Sequence, residues 1–289
     1  MRILITGAFG QLGHSLQSVL SKKSNYELVC TGRKIKKGQE GIPLDIRNQV
    51  ALKEIINTTA PDILINLAAM TNVDACELNP KLAGEINVAG LEHICDSFKG
   101  KIIHLSTDYV FDGTSGPYKE DDPLNPISIY GKTKLASEYI LLEKDIKNLV
   151  IRGNVLYDYC PHTSASFLNW VVSSLKGNQE IKVVEDQFNN PTWTRSMSDI
   201  IKLSIENDLE GIIHWGDSEQ ISRFEFAKLI AKKFSLNESL IKPVITSELN
   251  QPARRPLQSG LSTEKLVNML NIIPPSIDDC LDEIIKTIQ

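Results

Sequence analysis

The apolar positions of the chain follow two alternating rhythms. Short dense runs, "RILIT" (2–6), "YELVCTG" (26–32), "DILINLAA" (62–69), "KIIHLSTDYVF" (101–111) and "NLVIRGNVLY" (148–157), are brief and rich in β-branched residues, which predicts buried strands. Between them, "QLGHSLQSVLSK" (11–22) places Leu12, Leu16, Val19 and Leu20 at helical spacing. The runs "NQVALKEIINTT" (48–59), "KLAGEINVAGLEHICDSF" (81–98) and "YGKTKLASEYILLEK" (130–144) read as further helices. Strict alternation of strands this apolar with helices predicts an α/β fold, a doubly wound parallel sheet covered on both faces. Ligands of such sheets bind beyond the carboxyl ends of the strands.

After about residue 155 the alternation loosens. "SASFLNWVVSSLKGN" (164–178) reads as a helix, and "IKVVED" (181–186) and "GIIHWGD" (211–217) as strands. "SRFEFAKLIAKKF" (222–234) opens with Ser222 and Glu225 in capping-box spacing, a helix start. The expected division is a nucleotide-binding domain over 1–155, which also receives part of 185–220, and a smaller, discontinuous substrate-binding α/β lid over 156–289.

Composition narrows the class of partner. With 42% hydrophobic and 23% charged residues the chain reads as an ordinary globular protein. Its net charge of −5 argues against a nucleic-acid or membrane surface. Cys30, Cys76, Cys95, Cys160 and Cys280 are scattered without a C-x-x-C, as expected of buried thiols in a reducing compartment. No metal-ligand spacing occurs, and His14, His93, His104, His162 and His214 show no partner pattern. No signal peptide is visible, and "ILINLAAM" is far too short to span a bilayer, so the expected location is cytoplasmic.

"TGAFGQLG" sets Gly7, Gly10 and Gly13 between a strand and a helix, with Gln11 and Leu12 opening that helix. Glycines there let the chain turn sharply and let a pyrophosphate reach the amides at the helix N-terminus. A dinucleotide cofactor follows. The next strand ends in Thr31, Gly32, Arg33 and Lys34, where an NAD site would put Asp or Glu. A guanidinium at that point suits a 2′-phosphate, so NADPH is the expected cofactor, with NADH possible. Asp45 and Ile46 in "PLDIR" stand where adenine would lie, and Ala68 and Ala69 leave room for the cofactor.

In "YGKTKLASE", Tyr130 and Lys134 are four apart, hence on one helix face. The phenol's ordinary pKa of about 10 is high for an acid at neutral pH, and a neighbouring ammonium together with a positively charged nicotinamide would be expected to lower it. Upstream, "HLSTDYVFDG" delivers Ser106 and Thr107 to the ligand edge of the sheet, where a hydroxyl can hold a carbonyl oxygen while the tyrosine protonates it.

Taken in order, the glycine loop, the hydroxyl strand end and the Tyr/Lys helix resemble the extended short-chain dehydrogenase/reductases, a Rossmann-like family, over essentially the full chain. More narrowly, "TDYVFDG", "YGKTKLASE", "DQFNNPTWT" and "RRPLQSGLSTEKL" are similar to segments of the dTDP-4-dehydrorhamnose reductases. The resemblance implies Thr107 as catalytic hydroxyl, with Ser106 the runner-up. It implies Tyr130 as acid and Lys134 as the residue that binds the nicotinamide ribose and tunes the tyrosine. The implied reaction is reduction of the 4-keto group of a nucleotide-activated 6-deoxysugar, in a monomer or homodimer.

Asp108 and Tyr109 join Thr107 as expected substrate contacts. Gly153 and Asn154 stand where these reductases carry a bulky aromatic, and Trp193 offers a compensating wall. Arg254, beside Arg255, suits the substrate's diphosphate. Two rivals remain. A dehydratase is disfavoured because no glutamate follows Asp108, and an NAD-holding epimerase is disfavoured by Arg33 and Lys34. A non-catalytic NADP-binding subunit, like the regulatory subunit of methionine adenosyltransferase, is the rival from another class.

Overall fold

The computed structural model describes residues 1–22, 25–144, 147–160 and 166–288. His162, and Ser164 and Ala165 of the expected helix, lie outside the described residues. The central sheet has seven strands: β1 (Arg2–Thr6), β2 (Glu27–Gly32), β3 (Ile42–Pro43), β4 (Ile63–Asn66), β5 (Lys101–Thr107), β6 (Leu149–Gly153) and the strand Gly211–Trp215. Their spatial order is Gly211–Trp215, β6, β5, β4, β1, β2, β3, and every pairing is parallel.

Successive side chains of a strand point to opposite faces, and the two cores follow from that. Ile3 and Ile5 of β1, Ile63 and Ile65 of β4, and Leu149 and Ile151 of β6 join one core, which also takes Leu12 and Leu16 from α1 (Gln11–Leu20) and Met197 and Ile201 from the helix Thr194–Glu206. The alternate residues Leu4, Leu64 and Val150 enter the opposite core with α2 (Gln49–Thr59) and the segment Gly90–Ser97. A third cluster lies apart, where Tyr157, Leu168, Val172, Phe226 and Leu281 pack around the short parallel pair Ile181–Val184 and Ile241–Val244. Each such side chain, fully buried, contributes about 1.5–3 kcal/mol.

Three differences from the sequence reading shape the site. A further helix, α3 (Val73–Leu78), precedes the expected one. That expected helix is α4 (Pro80–Gly84) and α5 (Gly90–Ser97) joined through a π-turn at Glu85–Ala89. The wider turn lets Asn87 grip both backbone groups of Met70, at 2.8 and 3.2 Å, and reach Thr133 at 3.0 Å. The run "NLVIRGNVLY" is broken: β6 stops at Gly153, Val155 takes φ +22°, and Leu156–Tyr157 pairs instead with Thr192–Trp193. A positive φ is costly for a β-branched residue, so tertiary contacts hold this turn at the ligand edge. No helix among the described residues is long and apolar enough to cross a membrane.

Candidate active site

The carboxyl edge of the sheet opens into a cleft of about 670 Å³. Because β2, β1, β4, β5 and β6 are spatial neighbours in that order, the residues after them form a row: Arg33, the glycine loop, Ala68, Thr107 and Asn154 all line it.

At one end the walls are main chain. Gly7 has φ +70°, and a side chain there would lie 2.7 Å from the Ala68 amide nitrogen. Gly13 seats α1 so closely that a Cβ would meet the Ala8 carbonyl oxygen at 2.3 Å. Gly10, Gln11, Leu12, Asp45, Ile46 and Ala69 line the cleft as well. The Gln11 side-chain nitrogen is shut from solvent without a hydrogen-bond partner among the described residues, a donor left for a ligand. This cradle fits a dinucleotide pyrophosphate. Asp45 is taken by Arg47, whose Nη2 donates to its Oδ2 at 2.7 Å, and that hydrogen bond holds the Asp45 carboxyl below the usual range. Arg33 is exposed and makes no ion pair among the described residues, so it is the cation of this end.

The other end is built of side chains. Ser128 caps α6 (Ile129–Leu142) by accepting from Gly131 N at 3.2 Å, and so fixes where the helix begins. Tyr130, in its first turn, lines the cleft together with Thr107. Its ring meets Tyr109 edge-on at 5.6 Å. Burial pushes the Tyr130 phenol well up, with only the neighbouring Thr107 hydroxyl opposing. The expected lowering by Lys134 is therefore overturned in the protein alone. Lys134 is 2% exposed and does not line the cleft. Its Nζ donates to the Leu105 carbonyl at 2.7 Å and lies 3.0 Å from His104 Nε2. Burial pushes this amine down to about 8.

Of the two candidate hydroxyls, both of which line the cleft, Ser106 is committed as donor to Glu138. Glu138 in turn forms a buried ion pair with Arg152, Nη2 to Oε2 at 2.7 Å. Thr107, whose own hydroxyl donates to Asp108 at 3.0 Å, lines the cleft with Tyr130. Asp108, Tyr109 and Asn154 line the cleft beside it.

Two expected substrate contacts are not brought there. Trp193 packs into the third cluster, its backbone N–H donating to Asp217 at 3.0 Å. Arg254 is exposed outside the cleft, and its neighbour Arg255 is held by Asp74 at 2.7 Å. The cation that does line this end is Arg223, which the sequence reading missed. It is the first residue of the helix Arg223–Lys233, whose capping box is formed as expected, and its guanidinium stacks 5.3 Å over Phe167. No ion pair engages it among the described residues. The capping box located the helix start, but nothing local showed that the start faces the cleft. His104 and the Glu138–Arg152 pair were likewise missed.

Comparison with known proteins agrees with this geometry. The chain matches the RmlD substrate binding domain family over residues 1–289. It is 31% identical over 288 residues to a dTDP-4-dehydrorhamnose reductase of Aggregatibacter actinomycetemcomitans, covering 94% of each chain. It is also 31% identical over 277 residues to methionine adenosyltransferase 2 subunit beta of Xenopus laevis, covering 93% of this chain and 82% of that one. The structure of dTDP-4-dehydrorhamnose reductase from Bacillus anthracis in complex with NADP superimposes with a TM-score of 0.90, at 31% identity and 99% coverage of both chains.

Proposed function

The chain belongs to the RmlD substrate binding domain family, and from that premise we propose that it is an NADPH-dependent reductase of the 4-keto group of a nucleotide-activated 6-deoxysugar. The substrate is dTDP-4-dehydrorhamnose or a close analogue. The observation that carries this reading is the presence of Thr107 and Tyr130 on one cleft whose far end holds the glycine loop and Arg33.

Bound NADPH supplies the hydride to the keto carbon. Tyr130 gives its phenolic proton to the oxygen, so that ketone, hydride and proton make the alcohol. The raised phenol suits this role, because an acid must hold its proton until charge develops on the oxygen. Thr107 donates to the same oxygen, a preorganised dipole where the negative charge appears. Lys134 underlies both, held by Leu105 and His104, and the resemblance assigns it to the nicotinamide ribose. Arg223 replaces Arg254 as the residue for the substrate's diphosphate, since an unpaired guanidinium over an aromatic ring is free for bidentate contact.

A second reading is favoured by one observation, the equal identity to methionine adenosyltransferase 2 subunit beta. One experiment separates the two. NADPH consumption is followed with a panel of dTDP-4-keto-6-deoxysugars, and the product is identified by NMR. Turnover to a 4-hydroxy sugar is expected. No consumption across the panel, with NADPH bound, would replace the reductase by a cofactor-binding subunit.

A further inference from the structure

Asp108 follows Thr107 directly and is 1% exposed. Thr107 Oγ1 donates to its Oδ1 at 3.0 Å. A hydroxyl has one proton to give. While Thr107 gives that proton to an ionised Asp108, it has none for a substrate carbonyl. The developing alkoxide then loses one of its two donors.

The other side of Asp108 bears on this conflict. Asn154 is fully buried, and its Nδ2 donates to Asn190 Oδ1 at 2.5 Å. Its own oxygen therefore faces Asp108, 3.2 Å from each carboxyl oxygen. Turning the Asn154 amide over would aim its nitrogen at Asp108, but would set its oxygen against Asn190 Oδ1 at 2.5 Å. Asn190 cannot turn to relieve that contact. Its Oδ1 accepts from Leu261 N at 2.9 Å and its Nδ2 donates to Leu261 O at 3.1 Å. Backbone groups do not exchange donor and acceptor roles. Leu261 thus fixes Asn190, Asn190 fixes Asn154, and Asn154 presents an acceptor to a carboxyl group. Two acceptors face each other in a buried site, and one proton on Asp108 reconciles them.

We propose that Asp108 works as a neutral carboxylic acid, held protonated by the Leu261–Asn190–Asn154 relay, and that this frees the Thr107 hydroxyl to turn to the substrate's carbonyl oxygen. An ionised carboxylate would grip the Thr107 proton about twice as strongly as a neutral oxygen does. Burial acts in the same direction and pushes the Asp108 carboxyl up to about 6, and the facing amide oxygen adds to that push. Against it act the Ser259 and Thr107 hydroxyls and the Arg223 guanidinium, while Tyr109 and Tyr130 are the neighbouring phenols. Asp108 acts through Thr107 and is a positioning residue for the reduction proposed above, on which its kinetic consequence rests.

The decisive measurement needs no substrate. Infrared difference spectra of the full chain are recorded for wild type and Asp108→Asn at pH 6. The asparagine cannot ionise, yet it can donate to Asn154 and accept from Thr107. Asp217, whose carboxyl burial pushes up to about 7, contributes its own band, so only the signal lost in the variant counts. A protonated-carboxyl C=O stretch lost in the variant is expected, and loss of a carboxylate band alone would overturn the proposal. Should Asp108→Asn not fold, Asn154→Gly removes the facing oxygen and admits water, and must weaken the same band. An undiminished band would overturn the relay.

Kinetics give the second reading. The protonated form lies on the acid side of the folded pKa, so kcat of wild type is expected to fall as pH rises above about 6. Asp108→Asn should lack that fall, its kcat holding level across the pH range in which the wild-type value declines. An identical fall in both proteins would refute the role. If wild type reduces no keto sugar, the reductase reading fails, and the infrared result still decides the protonation state.

Discussion

At the glycine-loop end of the cleft the wall is backbone: Gly7, Gly10 and Gly13 clear a path to main-chain amides, and the cation beside them, Arg33, stands in solvent. At the opposite end, proposed above for the substrate, it is built of buried side chains, Thr107, Asp108, Asn154 and Asn190, each of which depends on the next for its orientation. The first kind of surface needs only a strand, a turn and a helix adjacent in sequence. The second draws on β5, the end of β6 and the segments around residues 190 and 261, which meet only when the whole chain is folded. The two ends should therefore fail differently when disturbed.

The largest effect is expected beneath the substrate end. Glu138 and Arg152 are 1% and 0% exposed and join α6 to β6, with Ser106 of β5 donating to the carboxylate. Glu138→Gln leaves a buried guanidinium without its counter-charge, which costs about 3–5 kcal/mol. Denaturant unfolding should show that loss at pH 7. A change below about 1 kcal/mol would mean that the substrate end is no more cooperative than the exposed cofactor end.

Next is the chemistry itself. Tyr130→Phe keeps the ring against Tyr109 and removes the proton, and kcat should fall by at least ~10². NADPH affinity, set mainly by the glycine loop, should change by no more than about threefold, little more than half a kcal/mol. Retention of more than about a tenth of wild-type turnover would remove Tyr130 from the acid's role.

Arg223→Met tests the substrate end without touching the reaction centre. The methionine can still lie against Phe167, but it cannot pair with a phosphate. A charged hydrogen bond contributes about 1.5–3 kcal/mol, so KM for the nucleotide sugar should rise at least about tenfold, with kcat and NADPH affinity little altered. An equal rise in KM for NADPH would place Arg223 on the cofactor instead.

What the sequence disclosed follows the same division. The strand–glycine–helix order, the i, i+4 pair of Tyr130 and Lys134 and the Ser222–Glu225 cap are local patterns, and each appears at its place. Asn154 was expected as a substrate contact where an aromatic is usual but not as a partner of Asp108, since its contacts with Asp108 and Asn190 span distances no window along the chain covers. Arg254 looked better than Arg223 because two adjacent arginines in a loop are conspicuous, whereas Arg223 gains its meaning from Phe167, 56 positions away. Val155 defeated the strand assignment for a related reason: its apolar side chain continues the pattern while its φ of +22° breaks the strand.

The smallest expected effect lies at the cofactor end. Arg33 is exposed, so solvent screens whatever it pairs with, and exposed ion pairs are worth about 0.2–1 kcal/mol. Arg33→Ser should lower the ratio of kcat/KM for NADPH over NADH by about fivefold at most, and added salt should shrink the wild-type ratio in the same direction. Asp45 cannot reverse the preference by taking the ribose hydroxyl, because both its oxygens already accept from Arg47. A double change, Arg33→Ser with Arg47→Ala, frees that carboxylate and should move the ratio further toward NADH than Arg33→Ser alone. If the double variant matches the single one, Asp45 does not face the ribose, and the selectivity of this end rests on Arg33 and the main chain.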